Sequence, residues 1–173
     1  MSRPQRSPRV RIDGVLLLDK PGGMTSNAAL QKARWLFNAA KAGHTGTLDP
    51  MATGLLPLCL GEATKFFQTL LDADKSYEAE LRLGVRTSTG DAEVQILEIR
   101  PANVTPSDLE TECMRFVGES GQGPPMYSAL KVAGRPLYDY AREGVTLERK
   151  PRRIVIERID VLGFDAVTAR VEV

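Results

Sequence analysis

The hydrophobic pattern of this chain changes period several times, and each change marks an element. Val15-Leu16-Leu17-Leu18 is a short unbroken apolar run, the pattern of a buried strand. Asp19-Lys20-Pro21-Gly22-Gly23 breaks it with turn residues. Thr25 or Ser26 can cap a helix over about residues 27–38, with Leu30, Ala33, Leu36 and Phe37 on one face. A glycine-rich loop follows, then a strand from Leu55 to Leu60 and a helix over residues 62–72, where Phe66, Phe67, Leu70 and Leu71 are apolar. Tyr77, Ala79, Leu81 and Leu83 alternate with Glu78, Glu80 and Arg82, which predicts a half-buried strand. After a loop at 87–91 comes a strand from Val94 to Ile99. Thr105-Pro106-Ser107-Asp108 starts a helix that reaches about Val117: threonine caps, proline takes the first position and an acid the third. Residues 121–125 read as loop, Met126 to Leu130 as strand and Leu137 to Arg142 as a short helix. The last 20 residues read as two strands, with Val167, Ala169, Val171 and Val173 alternating to the end.

Strands and helices mix without strict βαβ alternation. The expected class is α+β, a mixed and largely antiparallel sheet flanked by helices. The length suits one domain from residue 12, preceded by a disordered basic arm over residues 1–11. A chain that stops in mid-strand pattern reads as a fragment.

Composition narrows the function classes. A chain that is 42% hydrophobic and 26% charged can build a core without staples. Cys59 and Cys113 are far apart and form no CxxC pair, so they read as buried free thiols of a cytoplasmic protein. No apolar segment resembles a signal peptide or a membrane span. Net charge is +1, but Arg3, Arg6, Arg9 and Arg11 form one basic cluster and Arg149, Lys150, Arg152 and Arg153 another. Local positive charge of this kind suits RNA, and it equally suits a solvated surface.

The chemistry centres on Gly43-His44-Thr45-Gly46-Thr47-Leu48-Asp49-Pro50. Gly43, Gly46 and Gly54 let the backbone bend and a ligand come close, and Pro50 biases Asp49 toward an extended conformation. The loop thus carries a carboxylate near an imidazole and two hydroxyls; it is a site, or a turn in which Asp49 caps the next element. His44 is the sole histidine, which rules out a multi-histidine metal centre. No Walker loop or GxGxxG fingerprint is present, so no nucleotide cofactor is expected. Lys20, before Pro21, is either a phosphate contact or a solvated turn residue, and Tyr77 is an amphipathic residue at a sheet edge.

Two longer runs carry a family resemblance. Gly14-Val15-Leu16-Leu17-Leu18-Asp19-Lys20-Pro21-Gly22-Gly23-Met24-Thr25-Ser26-Asn27 and Ala42-Gly43-His44-Thr45-Gly46-Thr47-Leu48-Asp49-Pro50-Met51-Ala52-Thr53-Gly54-Leu55-Leu56-Pro57 resemble the bacterial tRNA pseudouridine(55) synthase family, the TruB type. Gly61-Glu62-Ala63-Thr64-Lys65-Phe66, Asp74-Lys75-Ser76-Tyr77, Leu83-Gly84-Val85-Arg86-Thr87 and Pro125-Met126-Tyr127-Ser128-Ala129-Leu130-Lys131 match in order. The resemblance implies a pseudouridine synthase fold. It also implies an isomerase that converts uridine 55 of the tRNA T-loop to pseudouridine, without cofactor or metal. Asp49 matches the family nucleophile. Tyr77 matches the tyrosine that stacks on the base and assists proton transfer. His44, Gly43, Thr45 and Lys20 fall in motifs that line the substrate site. Residues 125–153, with Arg152 and Arg153, match an insertion that clamps the T-loop. The resemblance further implies a monomer, although an exposed strand edge in a fragment can pair with a copy of itself.

The family continues into a segment containing K-G-T-Y-I-R, whose arginine pairs with the aspartate. That segment is not in this sequence, so the 173-residue chain alone is expected to be inactive or nearly so. Two other readings stay open: a non-catalytic RNA-binding module, and a small hydrolase using Asp49 and His44 as an acid–base pair.

Overall fold

The structure, a computed structural model, describes residues 8–92, 94–128 and 130–173. The chain divides into two compact units at the Lys75/Ser76 junction, where the sequence pattern suggested one domain.

In the first unit, strand β1 (Gly14–Lys20) leads into helix α1 (Ser26–Leu36). Strands β2 (Ala42–His44) and β3 (Gly54–Leu60) follow, then a 3-10 turn (Gly61–Phe66) and helix α2 (Phe67–Leu71). The sheet order is β1-β3-β2, antiparallel throughout. Side chains alternate across a strand. On β1, Leu16, Leu18 and Lys20 therefore share the face that turns inward, while Val15, Leu17 and Asp19 are exposed. Leu16 and Leu18 lie opposite Leu58 and Leu56 of β3, and Ala29, Leu30 and Ala33 of α1 close this core. Each leucine buried there contributes about 1.5–3 kcal/mol.

Pro57 sits in the central strand, where proline is normally excluded. Its carbonyl accepts the Thr45 N–H at 3.1 Å, so Pro57 presents its polar groups to the β2 side, just past the end of that short strand. A residue of an antiparallel ladder turns both groups to the same neighbour. The missing N–H therefore costs the β1–β3 ladder nothing.

Several expectations change. The face of α1 that is buried is Ser26, Ala29, Leu30 and Ala33; Leu36 and Phe37, expected inside, are exposed, as is Trp35. The predicted helix at 62–72 starts as the 3-10 turn, and none of its apolar side chains is buried. The arm is not free along its whole length. Val10 bonds through its backbone to Asn38 and Ala40, and the Asn38 side chain donates to the Pro8 carbonyl. Residues 1–7 of the arm, with Arg3 and Arg6, lie outside the described residues.

In the second unit the elements are β4 (Glu78–Arg82), β5 (Val85–Thr87), β6 (Ile96–Ile99), α3 (Pro106–Met114) and β7 (Gly118–Gln122). Then come β8 (Lys131–Val132), β9 (Arg135–Pro136), α4 (Leu137–Arg142), β10 (Arg152–Ile156), β11 (Asp160–Phe164) and β12 (Thr168–Glu172). Their sheets are β11-β12-β4, β10-β7, β5-β6 and β8-β9, each antiparallel, in keeping with the largely antiparallel α+β class expected from the sequence. The capping box of α3 forms as its sequence predicts, with Thr105 and Asp108 bonding reciprocally. The chain's end carries three strands in place of two. Gly118–Gln122, partly assigned to loop for its turn-like residues, is a strand because β10 pairs with it. Met126–Ser128 are bends where a strand was expected; Ala129 lies outside the described residues.

One glycine secures the exit of β3. Gly61 has φ +54°, and a Cβ there would collide with the Ile12 carbonyl oxygen. Next to it, the Glu62 N–H donates to Asp13 Oδ1 at 2.6 Å. Gly61→Ala is expected to destabilise the chain by about 1–3 kcal/mol, since left-handed backbone strain and a contact with backbone act together; thermal unfolding of the two proteins measures it.

Candidate active site

Asp49 sits on the loop between β2 and β3, and its side chain is exposed. Its carbonyl accepts the Ala52 N–H at 3.1 Å, which closes a turn with proline in the second position. The turn reading of the sequence is therefore right for the backbone. It leaves the side chain free: among the described residues the Asp49 carboxylate accepts no hydrogen bond and meets no cation.

The backbone on either side of Asp49 is held by residues 20–26. Lys20 is fully buried, and its Nζ donates to the carbonyls of Pro21 (3.0 Å), Met24 (2.7 Å) and Pro50 (3.3 Å). An ammonium has three donors, and all three are used here. The Pro50 carbonyl also accepts the Gly23 N–H at 2.8 Å, from a glycine with φ +74°. On the other side of Asp49, Ser26, 2% exposed, donates to the Leu48 carbonyl at 3.0 Å and accepts the Leu48 N–H at 2.9 Å. Leu48 itself packs against the core formed by α1 and β3. The first motif thus builds the seat on which the aspartate loop rests.

The predicted substrate contacts separate into two groups. Lys20 was read as a phosphate contact or a solvated turn residue; it is neither, because strand alternation drives it inside and three carbonyls enclose its ammonium. Thr45 is also buried, with its N–H and hydroxyl both directed to the Pro57 carbonyl, so it fastens the loop to β3. Gly43 lies opposite Cys59 in the β2–β3 ladder. His44 is half-buried, and its Nδ1 lies 2.5 Å from the Gly46 carbonyl oxygen. A carbonyl only accepts, so Nδ1 carries a proton and Nε2 is the nitrogen left for another partner. His44 and Asp49 form no hydrogen-bonded pair, which removes the geometric basis of the hydrolase reading.

The remaining candidates belong to the second unit. Tyr77 is exposed, and it exchanges both backbone hydrogen bonds with Val173, extending the β4–β12 ladder by one pair. Arg153 pairs with both carboxylate oxygens of Glu119 on β7, at 2.7 Å each. Its charge is already answered, unlike that of Arg152, which is exposed and lies opposite Gln122. In the 125–153 segment, Arg135 binds Glu143 through two bonds and lies over the Tyr140 ring, 4.7 Å from its centroid. That pairing raises the arginine pKa and lowers the glutamate's. Lys131, Arg142, Arg149, Lys150 and Arg152 form no ion pair among the described residues. Of the two cysteines, Cys59 is buried, and burial pushes its thiol pKa up; Cys113 is half-buried. Among the described residues no helix is long and apolar enough to cross a membrane.

A pseudouridylate synthase profile, described as the N-terminal domain of the TruB family, matches residues 34–173. The chain belongs to the TruB family of pseudouridylate synthases. It is 62% identical over 167 residues to the tRNA pseudouridine synthase B of Ralstonia pickettii (strain 12J), covering 96% of this chain and 52% of that protein. It is 58% identical over 173 residues to the tRNA pseudouridine synthase B of Chromobacterium violaceum, covering 100% of this chain and 56% of that protein. The chain spans about half the length of these curated relatives. Among solved structures, a chain of a Cbf5–Nop10–Gar1 complex superposes with a TM-score of 0.65 at 31% identity, covering 92% of this chain and 38% of that one. A chain of an H/ACA RNP bound to a substrate RNA containing 2'-deoxyuridine gives 0.60 at 28% identity, covering 92% of this chain and 36% of that one. The expected α+β fold with antiparallel strands agrees with these neighbours.

Sequence reasoning missed Ser26 as a loop anchor, having weighed it only as a helix cap. No spacing rule links positions 22 residues apart. Lys20→Met, which keeps the bulk and removes the donors, leaves the Pro21 and Met24 carbonyls without that partner. A loss of about 1.5–3 kcal/mol in unfolding free energy is expected, measured by denaturant titration, and Lys20→Arg should not rescue it, because a planar guanidinium does not reproduce the geometry of one ammonium donating to three converging carbonyls.

Proposed function

We propose that the protein carrying this chain is a tRNA pseudouridine synthase that isomerises uridine 55 of the T-loop, with Asp49 as nucleophile. One observation carries the reading: an exposed carboxylate, free of protein partners among the described residues, stands on a backbone fastened at both neighbouring residues. A reacting group needs that combination of fixed origin and open lone pairs. The reaction breaks the N1–C1′ bond, rotates the uracil and joins C5 to C1′. The carboxylate either adds to C6 of the base or captures the electron-poor C1′, and both roles need a carboxylate that no protein donor already occupies. Product and substrate are isomers, so the overall balance requires no redox partner and no second substrate.

A uridine inside a folded RNA loop must leave its stack to reach such a group. Tyr77, exposed at the end of a ladder, fits a stacking role against the target base and assistance in moving the C5 proton. His44 fits a substrate contact through Nε2. Residues 125–153 fit a clamp on the T-loop and T-stem, with phosphate contact assigned to Lys131, Arg149, Lys150 and Arg152. Arg153 belongs in that set too: its pair with Glu119 is exposed, and an exposed ion pair is weak enough to give way to a phosphate. The reading includes a cytoplasmic monomer.

The test uses the protein carrying this sequence at full length, unmodified tRNA and a pseudouridine-specific chemical readout. Asp49→Asn is expected to lower product formation by roughly a thousandfold or more, with tRNA affinity kept within a few-fold. An unmutated protein that binds tRNA and yields no pseudouridine would leave the RNA-binding module as the correct reading.

A further inference from the structure

Asp49 is fastened on two sides, and the two fastenings differ. On the Pro50 side, Lys20 and the Gly23 N–H share one carbonyl. On the Leu48 side, a single hydroxyl answers both polar groups of one residue. Ser26 donates to the Leu48 carbonyl and accepts from the Leu48 N–H, at 3.0 and 2.9 Å. The Leu48 carbonyl belongs to the peptide plane that ends at the Asp49 nitrogen. That plane is rigid. Holding it, with the Pro50 carbonyl held beyond, leaves the Asp49 backbone little freedom to turn its Cα–Cβ bond.

Ser26 is not needed as the helix cap. Thr25 does that work, its hydroxyl accepting the Ala28 N–H at 3.1 Å. Ser26 is the first residue of α1, is 2% exposed, and directs its hydroxyl away from the helix to the loop. A buried hydroxyl whose donor and acceptor both serve one distant residue specifies geometry as well as stability.

We propose that Ser26 is a positioning residue for Asp49: its hydroxyl sets the orientation from which the aspartate acts on the base. This rests on the proposed function for its catalytic consequence, whereas the loop geometry it invokes is independent of that function. Alanine at 26 removes the partner of both Leu48 groups while keeping a good helix former. Threonine keeps the hydroxyl and adds one methyl group.

Two readouts on the full-length protein test the proposal. In the first, amide hydrogen exchange is followed residue by residue. Ser26→Ala is expected to speed exchange at Leu48 by about tenfold or more, with β1 and β3 protection unchanged. In the second, pseudouridine formation is expected to lose roughly 10–100-fold in kcat, with KM for tRNA within twofold. Ser26→Thr should restore most of both. Leu48 exchange and kcat within twofold of the parent in Ser26→Ala overturn the proposal. So does a kcat loss accompanied by an equal loss of protection throughout β1 and β3, which marks general destabilisation. If the unmutated protein makes no pseudouridine, the functional reading fails, and the exchange arm still decides whether Ser26 orients the loop.

Discussion

The buried Lys20 ammonium is the constraint around which the first unit is arranged. Strand alternation carries Lys20 to the inward face of β1 behind Leu16 and Leu18, so a charge must be accommodated at the end of an apolar row. A buried charge without partners is untenable. Among the described residues no carboxylate answers it. Three backbone carbonyls do, and they come from two segments that are remote in sequence, Pro21 and Met24 on one hand and Pro50 on the other. The requirement to satisfy one ammonium thus brings the turn after β1 against the aspartate loop. Gly23 reinforces the junction with its N–H, and its left-handed backbone lets the turn approach Pro50.

Seen this way, the two long motifs of the sequence are halves of one object. Residues 20–26 supply a cation, an amide and a hydroxyl. Residues 48–50 supply the backbone groups these bind. Neither half is finished alone: the turn would bury a charge with too few acceptors, and the loop would leave the Leu48 peptide groups unpaired beside the core. Leu48 completes the link, since its side chain packs against the core cluster of α1 and β3 while its backbone answers Ser26. Core packing and loop geometry therefore act through the same residue.

Local signals in the sequence located the elements that depend on local physics. The apolar run of β1, the cap at Thr25, the capping box of α3 and the short α4 all stand where composition puts them. What escaped was non-local. Gly118–Gln122 has turn-like residues and is a strand only because Arg152–Ile156 lies beside it. The 3-10 start after β3 follows from Gly61 meeting residues 12 and 13, which no window of neighbouring residues reveals. At the site, Asp49 stood out through its motif, yet the roles of Lys20, Thr45 and Ser26 did not. Ser26 read only as a helix cap, Thr45 as a substrate contact and Lys20 as a phosphate contact or solvated turn residue, whereas each is buried with its hydrogen bonds directed to backbone. The period-two alternation of β1, continued past Leu18, already points Lys20 inward; the turn signal at Pro21-Gly22 hid it.

Every anchor of the aspartate loop acts on backbone or on Leu48, and none uses the Asp49 side chain. The folding of the loop consequently places no demand on the carboxylate. Its energetics can be set by what enters the site and not by what holds the loop. A catalytic group fastened through its own side chain would need to break those bonds to react. One fastened through its neighbours keeps its geometry at no cost to its reactivity. That separation also makes the loop a clean place to divide chemistry from structure. A change at Lys20 or Ser26 alters where the carboxylate stands, whereas a change at Asp49 alters only what stands there.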